Sequence, residues 1–212
     1  MEALVLKTNV YVDGFNLYYG VKDTPYKWLD LSRLCRLVLP KSQIHRIRYF
    51  TARVRAAPGD PQKPQRQSTY IRALETIPNL SVHYGQFLSH PVRMALANAP
   101  PNGPQTVEVI KTEEKGSDVN LATWLLVDGF DGDYDVAVVV SNDSDLVEPI
   151  KIVKERLGFS VGVLNPQKHR TSWELMHTAS FCRHVRSSAL AASQFPLTMT
   201  DVHGTFCKPG AW

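Results

Sequence analysis

Three short acidic segments carry the residues best suited to chemistry: Val12-Asp13-Gly14-Phe15-Asn16, Lys115-Gly116-Ser117-Asp118-Val119-Asn120 and Ser141-Asn142-Asp143-Ser144-Asp145. Two of them directly follow apolar, β-branched runs. Asn9-Val10-Tyr11-Val12 leads into Asp13, and Val136-Ala137-Val138-Val139-Val140 leads into Ser141. Such a run suits a strand buried in a parallel sheet, and parallel sheets present ligand sites at their carboxyl ends. Carboxylates gathered there repel one another unless a cation sits between them. The pattern therefore predicts a hard divalent cation, Mg²⁺ or Mn²⁺, on oxygen ligands from Asp13, Asp118, Asp143 and Asp145. One or two such ions can generate a hydroxide for in-line attack on a phosphodiester and stabilise the departing oxygen.

Each segment also has a plainer explanation. Asp13 can cap a strand-to-helix turn, with Gly14 letting the backbone turn sharply. Asp118 at a helix start is favoured by the helix dipole without any metal. Ser144 or Asp143 can cap the following helix, leaving Asp145 in its first turn. Capping explains each segment separately but not their joint occurrence at strand ends. Asn16 is spaced to hydrogen-bond Asp13 or a substrate phosphate. Lys115 supplies an ammonium able to hold a scissile phosphate or leaving group, although surface lysines are common.

The positioning elements follow from periodicity and punctuation. Strands are expected at 8–12, 44–51, 80–87, 134–140 and 159–164, with a short edge strand at 106–111. Helices are expected at 30–39 with Asp30 as N-cap, 63–76, 116–127 and 145–157, with Pro149 in the first turn of the last and Gly158 just past its end. A short helix and strand cover 172–186. Residues 89–105 carry Pro91, Pro100, Pro101 and Pro104 and read as an excursion from the core. Strands alternating with helices predict one α/β domain over 1–186, a mostly parallel sheet flanked by helices, and residues 187–212 as an extended C-terminal arm packed on it.

Composition is that of an ordinary globular chain: 212 residues, 43% hydrophobic and 21% charged, with a formal charge of +4. No apolar run is long enough for a transmembrane helix, and the N-terminal residues lack the features of a signal peptide. Three scattered cysteines, Cys35, Cys182 and Cys207, fit a reducing, cytoplasmic setting and argue against a disulfide framework or structural zinc. Residues 41–72 are rich in Lys and Arg, and 128–145 hold six acids and no base. A basic flank beside an acidic cluster suits a polyanion approaching a metal; two solvated faces of opposite charge are the bland alternative. Asp131-Gly132-Asp133-Tyr134-Asp135 lacks the downstream glycine and glutamate of an EF-hand and reads as a solvated loop.

Taken together, the Val-Asp-Gly-Phe-Asn, Glu-Lys-Gly-Ser-Asp-Val and Ser-Asn-Asp-Ser-Asp-Leu segments resemble the NYN-domain (LabA-like) family of PIN-like nucleases over about residues 8–186. The resemblance implies a three-layer PIN-like, Rossmannoid fold and a metal-dependent ribonuclease site. Asp13, Asp118 and Asp143 fall on its metal-site positions, Asp145 on the accompanying acid and Asn16 on the polar partner of the first motif. Asn142 departs from the glycine expected there.

The expected function is a Mg²⁺- or Mn²⁺-dependent endoribonuclease. Single-stranded RNA would run along Arg53, Arg55, Arg66 and Arg72, with Tyr70 or a nearby aromatic available for stacking. The alternative is a non-catalytic RNA-binding or regulatory module that keeps a structural metal, and both a homodimer and a regulatory protein partner are compatible with the sequence. A haloacid-dehalogenase-type phosphatase is disfavoured because Phe15 stands where its second aspartate would be.

Overall fold

The computed structural model describes residues 6–57, 59–168, 171–210 and 212. Its main sheet has seven strands: β1 (Leu6–Asp13), β2 (Ser42–Ala52), β3 (Leu80–Ala95), β4 (Thr106–Lys115), β5 (Val136–Val140), β6 (Ser160–Asn165) and β7 (Phe181–His184). The order is β4-β3-β2-β1-β5-β6-β7, and every pairing is parallel except β3 with β4. The chain winds outward from β1 in both directions, so the order reverses between β1 and β5. That crevice is where open α/β sheets bind ligands.

β1 alternates inside a sheet covered on both faces. Val10 and Val12 join one buried cluster with Trp28, Leu34, Ile47 and Val138; Tyr11 joins the other with Leu121, Leu125, Val139 and Ile150. The first face is covered by α1 (Gly14–Val21), α2 (Leu31–Val38), α3 (Lys63–Leu74) and α7 (Ser187–Ala192). The second is covered by α4 (Ser117–Phe130), α5 (Val147–Glu155) and α6 (Trp173–Thr178). The fold is thus the expected mostly parallel α/β sandwich of three layers. All five residues of β5 are buried, which only a strand covered on both faces permits. Among the described residues no helix is long and apolar enough to cross a membrane.

Several expectations change. The helical turn that Asp13 could cap is a full helix, α1, which periodicity did not delimit because Gly14–Val21 is short and mixes glycines with aromatics. The proline-rich excursion is a two-stranded ribbon: β3 runs on to Ala95 and pairs with β4 as far as Ala95–Thr106. Pro91 is tolerated because the ribbon stands clear of the core, with most of its residues exposed. Residues 187–212 are not a plain arm. They form α7 and a hairpin of β8 (Thr198–Asp201) and β9 (Gly204–Cys207), and their Leu190, Phe195 and Phe206 enter the first core cluster. Their apolar residues are too sparse for periodicity to reveal.

The charge segregation has a structural explanation. Asp128 makes a buried bidentate pair with Arg48, accepting from Nε at 2.8 Å and Nη2 at 2.7 Å, and it also accepts from the Tyr11 hydroxyl at 2.7 Å. The Arg48 guanidinium lies 3.9 Å from the Trp124 ring centre. Asp133 accepts from Asn9 and Arg46 and pairs with Lys7. Burial works against its charge, but these donors outweigh it and hold the carboxyl well below the usual range. The Asp131–Asp135 loop is therefore an ion-pair hub rather than merely solvated. Much of the basic β2 strand is neutralised there and is not free for a polyanion.

Candidate active site

The parallel register sets Val12 beside Val140, so β1 and β5 end together and Asp13 meets Ser141. Asp13 is 5% exposed, and both its oxygens are engaged. Oδ1 accepts from the Asn16 backbone N–H at 2.9 Å, capping α1, and Oδ2 accepts from the Ser141 hydroxyl at 2.9 Å. Burial pushes the Asp13 carboxyl up, these two bonds pull it down, and the charge of Asp143 pushes it up again; the net shift is upward. Gly14 is required by close approach rather than by an unusual turn. A Cβ there would lie 2.7 Å from both the Phe50 carbonyl oxygen and the Tyr49 ring.

Gly116 does need its freedom. Its φ of +99° turns the chain from β4 into α4, which accounts for the Lys-Gly pair before Asp118. Asp118 occupies the first turn of α4, half-buried. Burial, followed by the charges of Asp13, Asp143, Glu114 and Asp145, pushes its carboxyl up to about 6. Five acids therefore share one field. Glu114 was not singled out from sequence, although its place two residues before Gly116 was a usable signal. It caps α4 by accepting from the Ser117 N–H at 3.1 Å, in space that Gly85 leaves open.

Asp143 caps the 3-10 turn Ser144–Leu146, accepting from the Asp145 N–H at 3.0 Å, and its own N–H donates to Ser141 Oγ at 3.1 Å. Asp145 is exposed at the mouth. The Asn16 side chain braces the site: its Oδ1 accepts from the Asn142 N–H and from Gln167 Nε2, each at 3.1 Å. Asn142 has no left-handed backbone, so glycine is not needed there. Its side-chain oxygen accepts from Asn165 Nδ2 at 3.0 Å and the Ser172 N–H at 2.8 Å, tying β6 and α6 to the site.

The outer residues divide. Lys115 is exposed at the end of β4, 3.6 Å from Glu113, which also holds Lys111. Arg53 and Arg55 follow β2 at the same sheet end as Asp13 and are exposed, Arg53 lying over the Tyr84 ring. Arg66 pairs with Asp60. Arg72 is committed elsewhere, making a bidentate pair with Asp201 at 2.7 Å while lying 4.2 Å from the Phe206 ring centre, so it anchors the C-terminal hairpin. Tyr70 is buried, donates to the Leu29 carbonyl, and lines a cavity together with Tyr49 and Trp212.

Among the described residues, no three potential ligands stand close enough to enclose one ion directly. Their chemistry nevertheless suits a hard cation that keeps part of its water shell. All the donors are oxygen, and a cation would offset the upward push on Asp118, which comes first from burial and then from the charges of its acidic neighbours.

The chain matches the NYN-domain family model over residues 7–185 and belongs to that family, whose members are PIN-like nucleases that generally use divalent metals. Fold and family together point to nuclease-type chemistry. Among curated proteins the chain is 32% identical to 6-hydroxy-3-succinoylpyridine 3-monooxygenase HspA of Pseudomonas putida, over 100% of this chain and 77% of that protein. Among solved structures it resembles VPA0982 of Vibrio parahaemolyticus, a protein of unknown function. The TM-score is 0.56 at 15% identity, covering 88% of this chain and 98% of that one, a likeness of fold alone.

Proposed function

We propose that the chain is a Mg²⁺- or Mn²⁺-dependent endoribonuclease acting on single-stranded RNA. The observation that carries this is the shared field of Asp13, Asp118 and Asp143 at the one sheet end where the strand order reverses. In this reading those three aspartates hold the cation at least partly through its water shell, with Asp145 assisting at the mouth. A bound divalent cation supplies charge stabilisation to the phosphate and acidifies a water for attack. Ser141 aims Asp13 and favours its ionised form against the upward push of burial, and Asn16 holds the first and third segments at fixed separation. Lys115, leaving Glu113, would meet the departing oxygen, while Arg53 and Arg55 guide the backbone and Arg66 adds charge behind them.

The test is cleavage of single-stranded RNA with metal titrated in, for wild type and Asp143→Asn. Metal-dependent products from wild type alone support the proposal; products in excess chelator, or from the variant, defeat it. Salt-dependent RNA binding without products would indicate the non-catalytic module instead.

The likeness to HspA favours a second reading, in which the chain acts on a small aromatic compound as that protein's name states. Incubation with single-stranded RNA and, in air with a two-electron donor such as NADH and a flavin, with 6-hydroxy-3-succinoylpyridine separates the two by which substrate is consumed.

A further inference from the structure

A cavity of about 360 Å³ adjoins the acidic centre, with Gly14, Phe15 and Glu114 in its wall. Its volume is near the lower end of the roughly 300–1,000 Å³ seen for small-molecule sites, enough for one ring and a short arm. The walls are largely aromatic: Phe15, Tyr49, Tyr70 and Trp212 line it, with Tyr70 and Trp212 at 5.0 Å and 53° and Tyr49 and Tyr70 at 6.3 Å and 84°. Packed directly on one another in tilted and edge-on contact, these rings form an aromatic wall against which a flat π-system can pack.

Two polar features are unanswered within the protein. Tyr49 is 6% exposed and lines the cavity, yet among the described residues its hydroxyl makes no hydrogen bond. The hydroxyl is open to the cavity rather than sealed off, so an acceptor on a ligand can take the place of water there. Lys27 and Lys63 also line the cavity, are half-buried, and form no ion pair among the described residues. Arg66, which lines it too, is already paired with Asp60.

We infer that this cavity binds a single aromatic or heteroaromatic ring carrying an anionic arm, with the ring among Phe15, Tyr49, Tyr70 and Trp212, an acceptor on the Tyr49 hydroxyl and the anion at Lys27 and Lys63. The chemistry is shared by a free aromatic acid and by the base and phosphate of one nucleotide. The inference does not depend on the reaction performed by the carboxylates.

The test is binding measured by tryptophan fluorescence and calorimetry, with benzoate, 3-phenylpropanoate and uridine 5′-monophosphate as probes. Benzyl alcohol (ring without charge) and hexanoate (charge without ring) serve as controls. At least one anionic ring should bind saturably with Kd below about 1 mM, a strength within reach of ligands this small. Tyr49→Phe and the double variant Lys27→Gln/Lys63→Gln, both checked for an unchanged circular dichroism spectrum, should each weaken it about tenfold. Tighter binding of the carboxylates marks a free acid as the source, and tighter binding of the nucleotide marks RNA. The inference fails if no probe saturates, if the controls bind equally well, or if all variants bind as wild type. Cleavage of RNA is scored in a separate assay, so failure here and failure of the nuclease proposal remain distinguishable.

Discussion

The Ser141 hydroxyl donates to Asp13 Oδ2 at 2.9 Å while its oxygen accepts the Asp143 backbone N–H at 3.1 Å. One fully buried serine thus couples the first acidic segment to the third. Groups that orient metal ligands typically contribute 10–100-fold to affinity or activity. Ser141→Ala should therefore lower RNA cleavage by about that factor and raise the metal concentration needed for half-maximal rate. An unchanged metal requirement would remove Ser141 from this role.

Asp143→Asn should keep the fold, because asparagine also caps helical turns. Cleavage should fall by at least about 10²-fold, the scale of losing one preorganised charge-stabilising group. Circular dichroism, thermal denaturation and single-turnover rates on the same preparation check both halves.

The Asp118 carboxyl is pushed up to about 6 by burial and then by its acidic neighbours. An acid whose folded pKa is raised favours the folded state while protonated. That contribution is complete below about pH 4, near its unfolded pKa, and is lost as pH rises through about 6. Mg²⁺ or Mn²⁺ should accordingly raise the melting temperature more at pH 7.5 than at pH 5. Asp118→Asn should stabilise the metal-free protein at pH 7.5 and abolish cleavage. Equal metal effects at both pH values would show that the cation binds elsewhere.

Arg48 and Asp128 form a buried bidentate pair. Removing one partner strands the other charge, so Asp128→Ala should destabilise the fold by about 3–5 kcal/mol. Urea unfolding should show a lower midpoint with an unchanged slope.

The basic residues should separate experimentally. Arg53→Ala and Arg55→Ala should each weaken RNA binding uniformly and reduce the slope of log affinity against log salt by about 0.7. Arg72→Ala should instead lower thermal stability through loss of the Asp201 pair, with the salt slope unchanged.

How much of this was legible in advance depended on range. Val136–Val140 declared a buried strand because all five side chains are apolar, and Asp30 declared a helix start because its cap spans three residues. Helix α1 and the C-terminal hairpin did not declare themselves by periodicity, since α1 is held by packing Leu17 and Val21 into the first core cluster and the C-terminal segment by the Tyr70–Trp212 contact and the Arg72–Asp201 pair. The run of bases in β2 looked like a nucleic-acid surface until Asp128 and Asp133, eighty or more positions away, were seen to neutralise part of it.

The sequence by itself determined the family, the alternation of strands and helices, and the acidic residues that end those strands, because local pattern and motif encode them. Tertiary structure alone decided which acids share a field, that Asn16 and Asn142 are braces, that Arg72 serves the fold, and that a largely aromatic cavity opens beside Gly14, Phe15 and Glu114. The physical reason is the parallel register. Matching Val12 to Val140 brings residues 128 positions apart within hydrogen-bonding distance, and no local pattern carries that information.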